Sequence, residues 1–325
     1  MKLKRLLVIA PIVVLLTVAG FELNPTDQPG SIRQVDPVVL SAPLAPVNIS
    51  VIEVVASPTS APVPTNIPTL VPTATPLPTN TPLPTATRNS NLRSVRVPIL
   101  MYHYVSVPPS DADIYRLDLS VTPANFQAQM DYLAAEGYHP IRLSELSEYL
   151  LLGKPLPSKP IVLTFDDGYL DNYENALPAL KKHGFTGTFF IITQFAEEKR
   201  PGYMNWDQIE QLAIDGMEIG SHTMNHWELN NRARAFLDAE IGRSKALIEA
   251  RLGVTVTSFC YPSGKYDART IESLKANGYF GATTEISGAY QATSDIYELK
   301  RIRVRGSYAV SDFAYWLKYW LASGK

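Results

Sequence analysis

The chain has a single cysteine, Cys260, in 325 residues. No intrachain disulfide can form, so the fold must hold by core burial alone. Excess charge is also scarce: 29 basic and 31 acidic residues leave a formal net charge of -2. That is no electrostatic footprint for nucleic acid, which usually needs a clustered basic face, and DNA and RNA are excluded as expected partners. Histidine is sparse as well, with five in all, and none follows His226.

Apolar residues are plentiful at 46%, and 26 prolines exceed the roughly 5% average, which points to a segment that does not fold. The excess is local. Residues 1–21 open with Lys2, Lys4 and Arg5 and continue as an almost unbroken apolar run to Phe21, which reads as an export signal. Its length lies at the border between a cleaved signal peptide and a retained membrane anchor. Residues 58–87 form a Pro/Thr repeat. Such a segment favours extended polyproline geometry and can space a domain roughly 90 Å from its tether. The expected organisation is a signal peptide or anchor over 1–21, a disordered Pro/Thr-rich linker over 22–92, and one folded domain over 93–325.

Within that domain, short β-branched or aromatic runs alternate with amphipathic stretches, as in repeated βα units. Strands are expected at 97–103, 161–166, 187–192, 218–222, 258–261, 281–284 and 299–304. Helices are expected at 123–136, 143–152, 172–183, 206–215, 232–252, 267–277 and 311–321. In a barrel of such units, functional residues sit where strands end and loops begin.

Two motifs occupy such places. Thr164-Phe165-Asp166-Asp167-Gly168 closes an apolar strand with two adjacent carboxylates and a glycine able to take φ > 0. One carboxylate can bind a cation while the other takes a proton from a water; taken alone, the motif is also an ordinary surface turn. Further along, Gly220-Ser221-His222-Thr223-Met224-Asn225-His226 places two imidazoles four residues apart. On a helical turn they would share a face, so both could reach one metal, with an aspartate from another strand as third ligand and the fourth position open to water.

These residues resemble the polysaccharide deacetylases, the NodB-like carbohydrate esterases of family 4. Thr164 to Gly168 is similar to that family's Thr-Phe-Asp-Asp-Gly motif and His222 to His226 to its His-(Ser/Thr)-x-x-His motif. Thr188-Phe189-Phe190 and Trp206 are similar as well, and the resemblance spans residues 97–304. It implies a distorted (β/α)7 barrel of the α/β class, with Asp166 as general base and Asp167, His222 and His226 as metal ligands. It further implies a hydrolase that removes N-acetyl groups from N-acetylglucosamine units of a cell-envelope or extracellular polysaccharide. Zinc is the expected cation, since two imidazoles and one carboxylate suit it; cobalt, nickel or iron could replace it. Such a cation lowers the pKa of its water from about 15.7 toward 7, so a nearby carboxylate can complete the deprotonation.

Two departures from the family pattern matter. Its third motif, Arg-x-Pro-Tyr, is replaced by Cys260-Tyr261-Pro262-Ser263-Gly264. The oxyanion donor is therefore assigned to the Ser263 amide, and the arginine that orients the base is missing. Arg301, Arg303 and Arg305 alternate with Ile302 and Val304 and would point into the barrel if the apolar face meets the helices; a solvent-facing basic strand end is the other reading. Cys260 reads as a packed small residue. The family's C-terminal Leu-x-His is also absent. Pro98 to Tyr104, however, resembles the Tyr-His strand end of the poly-N-acetylglucosamine deacetylase branch, which makes His103 the general acid. His139 and His183 read as surface residues beside helix ends. The loops at 108–119 and 197–205 would form the sugar groove; Tyr115, Tyr203 and Trp206 there could stack on sugar rings, and core or surface roles fit them equally. The competing readings are an O-acetyl esterase on xylan-like polymers and a non-catalytic, wall-tethered carbohydrate-binding protein.

Overall fold

A computed structural model describes residues 92–323. The expected signal or anchor over 1–21 and the Pro/Thr-rich segment lie outside the described residues. Among those described, no helix is long and apolar enough to cross a membrane.

The described residues form ten strands: β1 (Ser94–Arg96), β2 (Ile99–Tyr102), β3 (His139–Ile141), β4 (Pro160–Phe165), β5 (Thr188–Ile191), β6 (Glu218–Ser221), β7 (Ser258–Cys260), β8 (Gly281–Ser287), β9 (Tyr290–Ala292) and β10 (Leu299–Arg303). Seven of them run parallel in the order β2-β10-β8-β7-β6-β5-β4, and β2 pairs back onto β4, closing a barrel. Every strand expected from the sequence belongs to this ring. The short β3, not foreseen, pairs with the first half of β4 at residues 160–162, where β5 has not yet begun to pair. It takes in His139, which therefore opens a strand rather than flanking a helix, though it is exposed as expected. β1 and β9 form a separate antiparallel pair.

β2 and β5 are buried at every position and β4 at all but its first, as expected of parallel strands covered on both faces. The period-2 alternation of β4 then sorts chemistry from packing. Phe165 faces outward, stacked on Phe189 at 4.4 Å and beside Tyr102 and Phe126. Thr164 and Asp166 share the opposite face, where both meet Arg301.

Helix ends follow local capping chemistry. Thr122 caps Pro123–Ala135, with proline at the first turn where its missing N–H costs nothing. Asn205 and Asp267 cap Trp206–Ile214 and Ala268–Ala276. Leu143–Leu152 stops at Gly153, whose φ of 77° is left-handed. Two expected helices are not uniform. The 172–183 segment begins as a π-turn, Asn172–Ala176, before Leu177–Lys182; Pro178 cannot donate the backbone bond that would continue the regular ladder. The 232–252 segment is broken into Arg234–Leu237, a π-turn at Asp238–Gly242, and Arg243–Leu252. There Gly242 lets Asn277 approach, since a Cβ would stand 2.7 Å from its Oδ1. Short helices at Ile114–Leu119 and Thr193–Glu197 complete the connections after β2 and β5.

Candidate active site

All six candidate residues, Asp166, Asp167, His222, His226, His103 and Ser263, line one cleft of ≈ 440 Å³ at the carboxyl ends of the strands. Each follows directly, or within a few residues, on β2, β4, β6 or β7. That is where a barrel exposes side chains on rigid supports.

Asp167 has φ 72° and Gly168 φ 75°. Two successive left-handed residues make the turn sharp enough to leave both carboxylates of the pair at the barrel mouth. Asp167 Oδ1 lies 3.2 Å from His222 Nε2 and 3.2 Å from His226 Nε2. Neither contact is aligned as a hydrogen bond, so this buried oxygen has no hydrogen-bond partner among the described residues. His222 Nδ1 lies 2.8 Å from the Cys260 carbonyl oxygen. A carbonyl only accepts, so Nδ1 donates to it, and Nε2 is the nitrogen that faces Asp167.

Burial opposes ionisation of Asp167, yet the two imidazoles hold its carboxyl well below the usual range. Burial likewise opposes a charged His222, and Cys260 and Asp167 hold its pKa well above the ordinary value. An orphaned oxygen, two converging imidazole nitrogens and surroundings that favour positive charge fit a divalent cation held by Asp167, His222 and His226. A second cluster of Asp166, His222 and Cys260 fits less well, because the thiol faces the Arg301 guanidinium at 3.3 Å.

The histidine pair is not on a helical turn, contrary to expectation. Residues 222–229 are irregular, and Thr223 (φ 68°) and His226 (φ 61°) are both left-handed. Of the seven non-glycine residues with positive φ among the described residues, four (Asp167, Thr223, His226 and Ser263) are in or beside this site. Such conformations are costly and persist where surrounding contacts enforce them. Here Thr223 Oγ1 accepts the His226 N–H at 2.9 Å. The buried Glu240 accepts from the Asn225 backbone N–H at 2.9 Å and its side-chain amide at 2.8 Å. Nothing in the sequence singles out Glu240, one of three acids on the amphipathic 232–252 stretch.

Asp166 is held from across the barrel. Arg301, 1% exposed, donates from Nη1 to Asp166 Oδ1 at 2.7 Å and to Thr164 Oγ1 at 3.2 Å, and from Nε to the Thr284 carbonyl at 2.8 Å. Burial raises the Asp166 pKa, but Arg301 foremost among its neighbours brings the carboxyl below its ordinary value. Of the three arginines whose direction the sequence leaves open, only Arg301 points fully inward. Arg303 lines the cleft while pairing with Glu285 and Asp118, and Arg305, past the strand end, pairs with Asp118. Cys260 is buried and packed, as expected, with its thiol 3.6 Å from Asp166 Oδ2.

His103 Nε2 stands 3.7 Å from Asp166 Oδ2. Burial lowers its pKa, and Asp166 and Asp167 offset this in part. Ser263 follows β7 in a tight turn at φ 53°, ψ 21°. Of the expected groove aromatics, Tyr115 borders the cleft. Tyr203 instead packs tilted against Tyr169 and edge-on to Phe195, and Trp206 bonds Glu197.

Comparison with known proteins adds a lineage to this geometry. A polysaccharide deacetylase family model matches residues 153–282. The chain is 34% identical over 227 residues to YxkH of Bacillus subtilis, named for the same family, across 70% of this chain and 77% of that one. It is 26% identical over 198 residues to the poly-beta-1,6-N-acetyl-D-glucosamine N-deacetylase of Staphylococcus epidermidis, covering 57% of this chain and 68% of that one. Among solved structures, the Streptococcus pyogenes deacetylase PplD in complex with acetate is similar with a TM-score of 0.64 and 26% identity, over 69% of this chain and 98% of its own.

Proposed function

Because the chain belongs to the polysaccharide deacetylase family, we propose that it hydrolyses the N-acetyl groups of N-acetylglucosamine units in a cell-envelope or extracellular polysaccharide. The observation that carries this reading is the pairing of two carboxylates with opposite surroundings. Asp167 converges with two imidazoles on a common point, while its neighbour Asp166 is bonded to the Arg301 guanidinium and stands beside His103.

A divalent cation, zinc being the best match to the donors, would be held by Asp167, His222 and His226 and would supply Lewis acidity toward a water and the acetyl carbonyl. Asp166 accepts the proton of the attacking water, kept ionised and oriented by Arg301. The Ser263 amide donates to the oxygen that becomes negative as water adds to the carbonyl carbon. His103 donates a proton to the amine nitrogen as the C–N bond breaks, leaving acetate and a free amino sugar. Arg301 thus supplies from β10 the positive charge that the missing third-motif arginine would bring. The Staphylococcus relative's named substrate supports a poly-N-acetylglucosamine polymer. The basic-apolar start and Pro/Thr-rich segment support export with the domain 93–325 spaced from the membrane.

One observation favours a second reading, O-acetyl ester cleavage. Burial lowers the His103 pKa, and an alkoxide leaving group depends less on a general acid than an amine does. Acetate release by the zinc-loaded chain on poly-N-acetylglucosamine, chitin oligomers, peptidoglycan and acetylated xylan, beside an Asp166→Asn control, tests both. Release from an amide substrate, lost in the control, supports the proposal; release from xylan alone replaces it with the esterase, and silence on all four with metal bound refutes both.

A further inference from the structure

The C-terminal helix Val310–Ala322 buries only Phe313 and Leu317. Tyr315 and Tyr319, one turn apart on one face, are 61% and 44% exposed. Their rings lie 6.4 Å apart and within 20° of parallel. The half-buried Trp316 meets both edge-on, at 81° and 80°, and Trp320 meets Tyr319 at 80°. Rings braced in this way keep their orientation before anything binds, so little side-chain freedom is lost on contact.

This face is joined to the catalytic cleft by an unbroken series of contacts. Trp316 lies 6.5 Å from Tyr308, nearly parallel to it, and Tyr308 interacts with Arg305. Arg305 bonds Asp118 at 2.7 Å, Asp118 pairs with Arg303 at 3.6 Å, and Arg303 lines the cleft. We infer that the Tyr315–Tyr319 face is a secondary binding platform for the polysaccharide substrate, engaging sugar rings of the same polymer whose acetyl group lies in the cleft. The inference rests on the functional reading above.

The chemistry suits a sugar. Aromatic faces take the C–H faces of pyranose rings while hydroxyls remain solvated, and a tyrosine offers both an apolar body and a polar tip. Two alternatives fit less well. A lipid surface would call for a cluster of basic residues along the polar face, whereas the helix offers a single lysine, Lys318, with Asp312 opposing its charge. A second copy of the chain would need about 800 Å² per partner, more than two tyrosines that each bury at most about 250 Å². Linking a weak platform to the cleft through one polymer raises affinity for long chains and leaves short ones unaffected.

The test uses the full chain carrying Asp166→Asn, so that binding is measured without turnover, with and without Tyr315→Ala/Tyr319→Ala. Soluble poly-N-acetylglucosamine and the N-acetylglucosamine trimer are the probes. The expected result is a Kd for the polymer raised about tenfold, with trimer affinity and melting temperature unchanged. In the otherwise native chain, KM for the polymer should rise with kcat unchanged. Unchanged polymer affinity in the double variant overturns the platform, as does an equal loss for polymer and trimer with a lowered melting temperature. Phosphatidylserine-vesicle binding or a dimer abolished by the same two substitutions would overturn it in favour of lipid or self-association. A parent chain that neither binds the polymer nor releases acetate defeats the functional reading itself.

Discussion

Replacing Arg301 by methionine removes the guanidinium bonded to Asp166 while keeping an extended side chain in the barrel. Both partners are almost fully buried, with Nη1 to Oδ1 at 2.7 Å. Opposite unit charges with centres about 4 Å apart attract by about 4 kcal/mol at an effective dielectric constant of ~20. Burial is the largest influence on the Asp166 carboxyl and raises its pKa; Arg301 leads the contacts that lower it. In the variant burial prevails, and the carboxyl moves above its ordinary value.

The sign of the pH dependence therefore inverts. In the native protein the ionised Asp166 contributes stability above the unfolded-state pKa of roughly 3.9, which is lost as pH falls through the depressed folded value. In Arg301→Met the contribution is present below roughly 3.9 and is lost as pH rises through the raised folded value. Denaturant unfolding of metal-stripped protein at pH 4 and pH 7.5 should show a small deficit at the lower pH, growing toward about 3–5 kcal/mol at the higher. Metal removal matters because both proteins then share the same titration of the ligand imidazoles. On zinc-loaded enzyme, the acid limb of kcat/KM should move to higher pH. A deficit equal at both pH values with an unmoved acid limb would refute the pairing as the source of Asp166's ionisation.

His103→Ala should lower kcat on an N-acetyl substrate by about 10²–10⁴-fold and act far less on an aryl acetate ester; equal losses on the two substrates would count against its role as acid. Glu240→Gln keeps the side chain's volume but weakens its hold on Asn225. Zinc dissociation constants from competition with a chelator should rise about 10-fold or more, with the apo-protein's melting temperature little changed. Gly168→Ala forces a Cβ into a left-handed residue and to within 3.3 Å of Ile191 Cδ1; chemical denaturation should register a loss of about 1–2 kcal/mol, and an unchanged midpoint would mean that the turn relaxes.

Much of this site was legible because its parts are local. An apolar run ending in Asp166-Asp167-Gly168 specifies a buried strand, its exit and a left-handed turn within one short stretch. The alternation along β4 already separates the inward Asp166 from the outward Phe165. The same holds for the histidine motif after β6, for His103 after β2, and for each strand of the barrel. What misled was the assumption that a four-residue histidine spacing means a helical turn. Loops with left-handed residues bring two side chains together equally well, and Thr223 and His226 give no sign in their residue types that they will adopt such backbones.

The local chain thus determined which residues stand at strand ends and which side chains share a face, since alternation, capping and turn chemistry act over a few residues. Tertiary structure alone decided what those residues meet. Arg301 reaches Asp166 across 135 positions of sequence only because β2 pairs with both β4 and β10, closing the ring and bringing the last strand beside the first. The choice of Arg301 over Arg303 and Arg305 and the path from the cleft to Tyr315 follow from that closure, whereas Glu240 clamps Asn225 from within the same β6–β7 connection. Its pairings and registers depend on every strand between, and no short window of residues contains them.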